Sequence, residues 1–411
     1  PYDYAPPHDA HPFAAHMEIA PCPWNASNRL VRIGLKGKEL DAGSRPPLNL
    51  VFLLDVSGSM NAPNKLPLVK RAMNVLVNQL DQRDRVSIVV YAGAAGIVLP
   101  PTSGNDPQAI LDAIERLQAG GSTAGGAGIE LAYKTAQENF DAEAVNRVIL
   151  CTDGDFNVGM TQPGDLVRLI EEKAKTGIFL NVLGFGMGNY KDSTLEDLSN
   201  KGNGMYAYID DFSEARKVLV DQMTGTLVTI AKDVKIQVEF NPAMVAGYRL
   251  IGYENRMLKK EDFNNDKVDA GEIGAGHTVT AFYELVPAGQ GMDDVPPVDA
   301  LKYQSETAPS AAAGEWLTLK LRYKLPDGDT STKVEYPLVE GALVGEVVPS
   351  TDFRFAASVA AFGQLLRESP FVTGYTYDDV IDLAQGSLGS DRNGYRAEFL
   401  KLVRNAKAIA K

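Results

Sequence analysis

The stretch Leu48-Asn49-Leu50-Val51-Phe52-Leu53-Leu54-Asp55-Val56-Ser57-Gly58-Ser59 decides the fold. Its first seven residues are almost continuously apolar, which is typical of a strand buried on both faces of a parallel sheet. Asp55, Ser57 and Ser59 follow at once, and a helical pattern begins near Lys65. These polar side chains therefore lie on a tight strand-to-helix loop, the region where parallel α/β sheets bind ligands.

Similar apolar runs alternate with helical stretches as far as residue 226. The alternation predicts an α/β domain with a doubly wound, mostly parallel sheet that is covered by helices on both faces. The strands predicted after the first are Asp84–Tyr91, Asn146–Cys151, Phe179–Phe185 and Gly204–Ile209.

The segments on either side of this domain have a different pattern. Phe13–Ile19 and Leu30–Leu35 precede it, and Lys232–Phe240 is the first of several strands that follow it, separated by Pro, Gly and Asn/Asp clusters. Such short strands with turns predict an antiparallel, sandwich-like β domain. Because both segments share this character, we expect the α/β domain to be inserted between strands of one β domain. Helical periodicity beyond residue 351 predicts a small C-terminal helical region.

These patterns predict four regions of the chain. Residues 1–46 form an N-terminal arm and strands that join the β domain, and residues 47–226 form the α/β domain. Residues 227–350 form the sandwich-like domain, and residues 351–411 form the helical region.

Two further loops carry polar groups that are expected to lie near the Asp55–Ser59 loop. Gly120-Gly121-Ser122-Thr123 ends one connection, and Thr152-Asp153-Gly154 directly follows the strand ending at Cys151. If the strands are neighbours, all three loops meet at one sheet edge. The converging side chains are then Asp55, Ser57, Ser59, Thr123 and Asp153. This all-oxygen set suits a hard divalent cation, Mg²⁺ in the first place and otherwise Mn²⁺ or Ca²⁺.

Other motifs favour structural roles. The glycine run Gly184-Phe185-Gly186-Met187-Gly188 lacks the spacing of a nucleotide-binding fingerprint, and we interpret it as a strand-end loop near the metal site. Cys151 ends an apolar strand and is expected to be a buried small hydrophobe. No histidine lies in the Asp55 or Asp153 region, so a catalytic triad is not supported and we expect a protein without enzymatic activity.

The pattern Asp55-x-Ser57-x-Ser59, followed by Thr123 and by the Thr152-Asp153-Gly154 turn, resembles the metal-ion-dependent adhesion site (MIDAS) of von Willebrand factor A (VWA) domains. The resemblance implies a Rossmann-like fold. It also implies that the serines and usually the threonine bind the metal directly, while the aspartates bind directly or through water. An acidic side chain of a protein partner then completes the metal shell. Two carboxylates neutralise a divalent ion, so an open position stays attractive to an anion.

The resemblance extends beyond the motif. Segments such as Ala20-Pro21-Cys22-Pro23-Trp24-Asn25 and Leu250-Ile251-Gly252-Tyr253-Glu254-Asn255-Arg256 are similar to bacterial YfbK-like VWA proteins. The family implies a conserved region before the VWA domain, a domain of unknown function after it, and a location in the cell envelope, periplasmic or lipid-anchored. Any signal peptide or lipid-attachment segment would precede Pro1 and is absent from this chain.

Composition limits the partners. The chain has 411 residues, 40 Lys and Arg against 53 Asp and Glu, and a formal net charge of −13. Such a charge repels nucleic acid, and no apolar run approaches the roughly 18 residues that a membrane span requires. The sequence therefore predicts a divalent-metal-dependent protein-binding module. An assembly or chaperone-like subunit beside a separate ATPase is the alternative, and a metal-dependent hydrolase is less favoured because a general base is missing.

Overall fold

The computed structural model describes residues 2–8, 11–40, 45–122, 125–154, 163–186, 192–221, 225, 227–253, 257–266, 268, 270–289, 314–326, 328–339 and 348–410. The chain divides into two compact units. One contains residues 1–38, 233–270 and 278–411, and the other contains residues 39–232 and 271–277. We call them the β unit and the α/β unit.

The α/β unit is built on one sheet, whose strands are β3 (Leu48–Asp55), β4 (Arg85–Tyr91), β5 (Ala95–Ser103), β6 (Val145–Thr152), β7 (Ile178–Phe185) and β8 (Tyr206–Ile209). Their order in the sheet is β5-β4-β3-β6-β7-β8. β4, β3, β6, β7 and β8 run parallel, and β5 pairs antiparallel with β4 at one edge. This mostly parallel sheet confirms the predicted fold class, although β5 was not predicted. Pro100 and Pro101 make its sequence resemble a loop, and proline in a sheet is confined mainly to edge strands and bulges.

Helices cover both faces of this sheet. The helices are α1 (Leu66–Val77), α2 (Pro107–Glu115), α3 (Gly125–Glu138), α4 (Pro163–Lys175), α5 (Asp192–Lys201) and α6 (Phe212–Arg216), and α6 continues as a π-helical turn over Lys217–Asp221. One core holds apolar side chains of α1, α2 and α6, and the other holds those of α3, α4 and α5. β3 lies between the two cores and all eight of its residues are buried, as its apolar run predicts.

The β unit contains antiparallel strands from both sides of the inserted domain. β1 (Phe13–Cys22) pairs with β2 (Asn25–Gly37), and β2 pairs with β12 (Thr278–Pro287), which also pairs with β10 (Val245–Ile251). A second sheet is formed by β9 (Thr229–Phe240), β11 (Gly271–Gly274), β13 (Glu315–Lys324) and β14 (Thr332–Val339), in the order β11-β9-β13-β14. By residue range, β11 and the first four residues of β9 are counted with the α/β unit, and the remainder of this sheet with the β unit. The pairing of β2 with β12 agrees with the predicted insertion, because the α/β domain lies between these strands in the chain.

Aromatic contacts join the two sheets and the C-terminal helices within the β unit. The rings of Phe13 and Tyr323, from opposite sheets, have centroids 4.9 Å apart. The ring of Phe353 contacts Phe282 of β12 at 5.7 Å. The helices are α7 (Thr351–Leu366), α8 (Tyr377–Gln385) and α9 (Tyr395–Ile409). Within the described residues, no helix is both long and apolar enough to cross a membrane.

Candidate metal centre

The parallel pairing of β3 with β6 positions the centre of the site. Leu54 lies opposite Cys151 in this register, so the chain emerges from both strands at the same sheet edge. Asp55 ends β3, and Asp153 comes directly after β6. Thr152 at the end of β6 lies with its Oγ1 3.3 Å from Asp55 Oδ2. The two loops therefore converge as the sequence predicts.

The third predicted loop lies against the first. The amide of Gly58 donates to the carbonyl of Gly121 at 3.1 Å, and the amide of Gly120 donates to the carbonyl of Val56 at 2.8 Å. Gly120 and Gly121 are therefore hydrogen-bonded to the Asp55 loop. Thr123, the predicted fifth ligand, lies outside the described residues.

The hydroxyls of the first loop converge. Ser57 Oγ and Ser59 Oγ are 3.0 Å apart, and the amide of Ser57 donates to Asp55 Oδ1 at 2.9 Å. Asp55 is fully buried and Ser57 nearly so, whereas Ser59 is exposed. Asp55 and Ser57 are thus shielded from water, and Ser59 is the member of this set that is exposed.

Asp55 is a buried carboxylate that neutral groups surround. The hydroxyl of Tyr91 donates to its Oδ2 at 3.1 Å, and among the described residues its other hydrogen bonds also come from neutral groups. Burial raises the pKa of Asp55 and the nearby charge of Asp153 raises it further, while hydrogen bonds from Ser57 oppose the rise. A buried carboxylate without a cation is unfavourable. The site therefore fits a bound cation, which would neutralise this charge.

Asp153 has a cation beside it. Lys65 Nζ lies 2.8 Å from Asp153 Oδ2, and the Asp153 side chain is 2% exposed. Lys65 directly precedes α1, and its methylene chain packs on the backbone of Gly186 at the end of β7. Gly186 belongs to the glycine run that the sequence places near the site, and residues 187 and 188 of that run lie outside the described residues.

The donor set restricts the chemistry. The described residues include no group of three or more His, Cys, Asp and Glu side chains placed to hold a metal. A metal here would depend on hydroxyl ligands as well as the two carboxylates, and such all-oxygen sets suit hard cations. Cys151 is no competing ligand, because burial raises its thiol pKa and keeps it protonated.

Sequence reasoning missed three residues that surround the predicted ligands. Tyr91 and Thr152 hold Asp55, and Lys65 pairs with Asp153. In the sequence, Thr152 is recognisable only as part of the Thr152-Asp153-Gly154 turn. Tyr91 ends an apolar strand and resembles a core aromatic. Lys65 begins an amphipathic helix and resembles a surface lysine. In the structure, Asp55 lies opposite Tyr91 in the register of β3 with β4, which places the tyrosine beside the aspartate.

Comparisons with known proteins identify the class and then the family. Residues 49–222 match the model of the von Willebrand factor type A domain, so the α/β unit is a VWA domain. Residues 225–409 match the model described as "Uncharacterized protein YfbK, C-terminal", and residues 1–32 match one described as "von Willebrand factor". The chain is 43% identical over 400 residues to "Uncharacterized protein YfbK" of Escherichia coli K12, covering 97% of this chain and 68% of that protein. The chain therefore belongs to the YfbK family, as its sequence predicts.

Two further matches are more distant. "Uncharacterized protein sll0103" of Synechocystis is 33% identical over 189 residues, which cover 46% of this chain and 44% of that protein. The solved structure "von Willebrand factor type A from Catenulispora acidiphila" covers 95% of this chain and 89% of its own, with 16% identity and a TM-score of 0.48. VWA domains typically act as protein-interaction modules.

Proposed function

We propose that this chain is a divalent-metal-dependent protein-binding module. Asp55, Ser57, Ser59, Thr123 and Asp153 would hold the metal, with Mg²⁺ as the expected ion and Mn²⁺ or Ca²⁺ as alternatives. The metal would supply an open coordination position for an Asp or Glu carboxylate of the partner. The observation that carries the proposal is the fully buried Asp55 carboxylate, which among the described residues receives hydrogen bonds from neutral groups alone.

Access to the site supports a macromolecular partner. Ser59 is exposed, and so are Gly121 and Ser122 of the neighbouring loop. Asp55 and Asp153 are buried, whereas Ser59 is exposed, so a partner side chain would approach the metal past Ser59. A partner with an exposed carboxylate can therefore reach the metal without opening the core.

Metal-dependent capture tests this proposal. The wild-type chain is immobilised and incubated with a bacterial envelope extract in Mg²⁺ or in chelator, beside two variants. Asp55→Ala removes the buried carboxylate, and Asp165→Ala removes a half-exposed aspartate of α4 as the matched control. We expect proteins that bind the wild type and Asp165→Ala in Mg²⁺ but are lost with chelator and with Asp55→Ala. The same proteins retained in chelator would contradict metal-dependent binding.

The resemblance to YfbK-like proteins also supports a location in the cell envelope. Fractionation of cells that express the protein from its natural gene tests this location. Recovery in the envelope fraction is expected, and recovery in the cytosol alone would contradict it.

A further inference from the structure

The salt bridge between Lys65 and Asp153 changes the charge of the candidate site. Lys65 Nζ lies 2.8 Å from Asp153 Oδ2, with side-chain exposures of 17% and 2%. The interaction is thus largely shielded from water, where charges influence each other more strongly than at an exposed surface. Lys65 acts directly on one of the two proposed metal-binding carboxylates.

Backbone hydrogen bonds and the contact with Gly186 fix the main chain and the methylene chain of Lys65. The amide of Lys65 donates to the carbonyl of Ala62 at 3.0 Å, and the carbonyl of Lys65 accepts from Val69 at 2.9 Å in α1. A Cβ atom added to Gly186 would lie 2.5 Å from Lys65 Cε and 2.9 Å from its Cγ. The Lys65 methylene chain therefore occupies the space that a side chain at residue 186 would fill.

The charges of the described groups can be summed. Asp55 and Asp153 contribute −2 and Lys65 contributes +1, so the site has a net charge of −1 before a metal enters. A divalent ion raises this to +1. Without Lys65 the same loaded site would be neutral. Lys65 thus opposes the entry of a divalent cation but leaves the loaded site positive toward an anion.

We infer that Lys65 is the residue that determines the preference of the loaded site for an anionic partner group, at the expense of metal affinity. This inference rests on the proposed function and adds to it a residue that the MIDAS pattern does not contain. It predicts opposite effects on two affinities when the ammonium is removed. A purely structural role of Lys65 would instead weaken both affinities, because a distorted loop holds both ligands less well.

The test compares Lys65→Met, which keeps the length and apolar character of the methylene chain, with Lys65→Arg, which keeps the charge. Lys134→Met is the matched control, since Lys134 is a lysine of the same unit with a 69% exposed side chain. Mn²⁺ affinity is measured by calorimetry on the full chain. We expect Lys65→Met to bind Mn²⁺ roughly tenfold more tightly than the wild type, and Lys134→Met to stay within twofold.

The second measurement uses N-acetylaspartate amide, a probe with one carboxylate, added to the Mn²⁺-saturated proteins. Water-proton relaxation reports its displacement of water from the metal. We expect the Lys65→Met protein to bind the probe at least fivefold more weakly than the wild type does. Lys65→Arg, which keeps the charge, should bind the probe with near wild-type affinity. Circular dichroism confirms that each variant is folded.

Each outcome is decisive. Weakening of both affinities in folded Lys65→Met would show a structural role and overturn the inference, and so would no change in either affinity. These results leave the metal-binding function standing, because the wild type still binds Mn²⁺. Absence of Mn²⁺ binding in both the wild type and Lys65→Met would overturn the function and the inference together. Mn²⁺ binding by Lys65→Met alone would support the opposing effect of Lys65 on metal entry but would contradict the proposed function of the wild-type chain.

Discussion

The hydroxyl of Tyr91 shows, at the scale of single residues, how the fold supports Asp55. Tyr91 is fully buried, and its hydroxyl donates to Asp55 Oδ2 at 3.1 Å. Burial and the Asp55 charge raise the pKa of Tyr91 well above its ordinary value, so the hydroxyl remains a donor at neutral pH. We predict that Tyr91→Phe weakens Mn²⁺ binding by about 10- to 100-fold, the usual effect of losing a group that orients a metal ligand. Calorimetric titration of the variant measures this loss.

Tyr133 offers a matched control for this prediction. It is equally buried in the same unit, and its hydroxyl has no hydrogen-bond partner among the described residues. Tyr133→Phe therefore removes an unsatisfied polar group, and we expect stability to be unchanged or raised by about 1 kcal/mol. Equal Mn²⁺ affinity in the two variants would refute the role assigned to Tyr91.

The same scale shows what the sequence could predict of the site. Asp55, Ser57, Ser59 and Asp153 are recognisable because their spacing after apolar strands is specific. Lys65 and Tyr91 are not, since their contacts depend on how β4, β7 and α1 pack around the β3 loop. A sequence pattern contains the ligand types but not the neighbours that three-dimensional packing supplies.

At the scale of elements, an ion pair joins the first turn of α7 to α9. Arg396 of α9 donates to Asp352 Oδ1, and the amide of Asp3 donates to Asp352 Oδ2 at 2.9 Å. Burial alone would raise the pKa of Asp352, but hydrogen bonds from Arg396 and Asp3, with the charge of Arg32, outweigh it and hold the pKa below its ordinary value of 3.8. The ionised carboxylate therefore stabilises the β unit.

Asp352→Asn tests this contribution and its pH dependence. We predict a loss of about 1.5–3 kcal/mol in the free energy of unfolding at pH 7, the usual value for a hydrogen bond to a charged group. A lowered folded-state pKa gives stability that is present above 3.8 and disappears as the pH falls through the folded-state value. The difference between wild type and variant, measured by urea unfolding, should thus persist from pH 7 to about 5 and shrink below about 3.8.

The Asp378–Lys407 pair, which joins α8 to α9, provides the control. Its side chains are 65% and 45% exposed. Asp378→Asn should change the free energy of unfolding by about 0.5 kcal/mol or less, because exposed ion pairs contribute little. An effect of Asp352→Asn that is as small, or that does not depend on pH, would contradict the role assigned to Asp352.

At the scale of the whole molecule, the candidate metal site belongs entirely to the α/β unit. A ligand that binds the folded state at 100 times its dissociation constant stabilises it by about 2.7 kcal/mol. We predict that Mn²⁺ slows amide hydrogen exchange in β3 and β6 but leaves β13 of the β unit unchanged. Mass spectrometry measures the exchange rate of each segment with and without Mn²⁺. Asp55→Ala is the control, in which Mn²⁺ should not slow exchange. Equal slowing in both units would contradict a site confined to the α/β unit.

The insertion of one unit into the other could be predicted because Phe13–Leu35 has the same strand character as the segments after residue 226. The β2 pairing register was not predictable, since it depends on which strand from beyond the insertion lies beside β2. The edge strand β5 was not predicted because two adjacent prolines make its sequence resemble a loop. An edge strand tolerates them, since it pairs with a neighbour on one side alone.

The most direct test of the central claim is a calorimetric titration of Mn²⁺ into the full wild-type chain and into Asp55→Ala, with circular dichroism to confirm that both are folded. We predict one saturable site in the wild type and at least a hundredfold loss of affinity in the variant, because Asp55 is the buried carboxylate at the centre of the proposed ligand set. No saturable binding by the wild type at millimolar Mn²⁺, or equal binding by the folded variant, would contradict the proposed metal-dependent function.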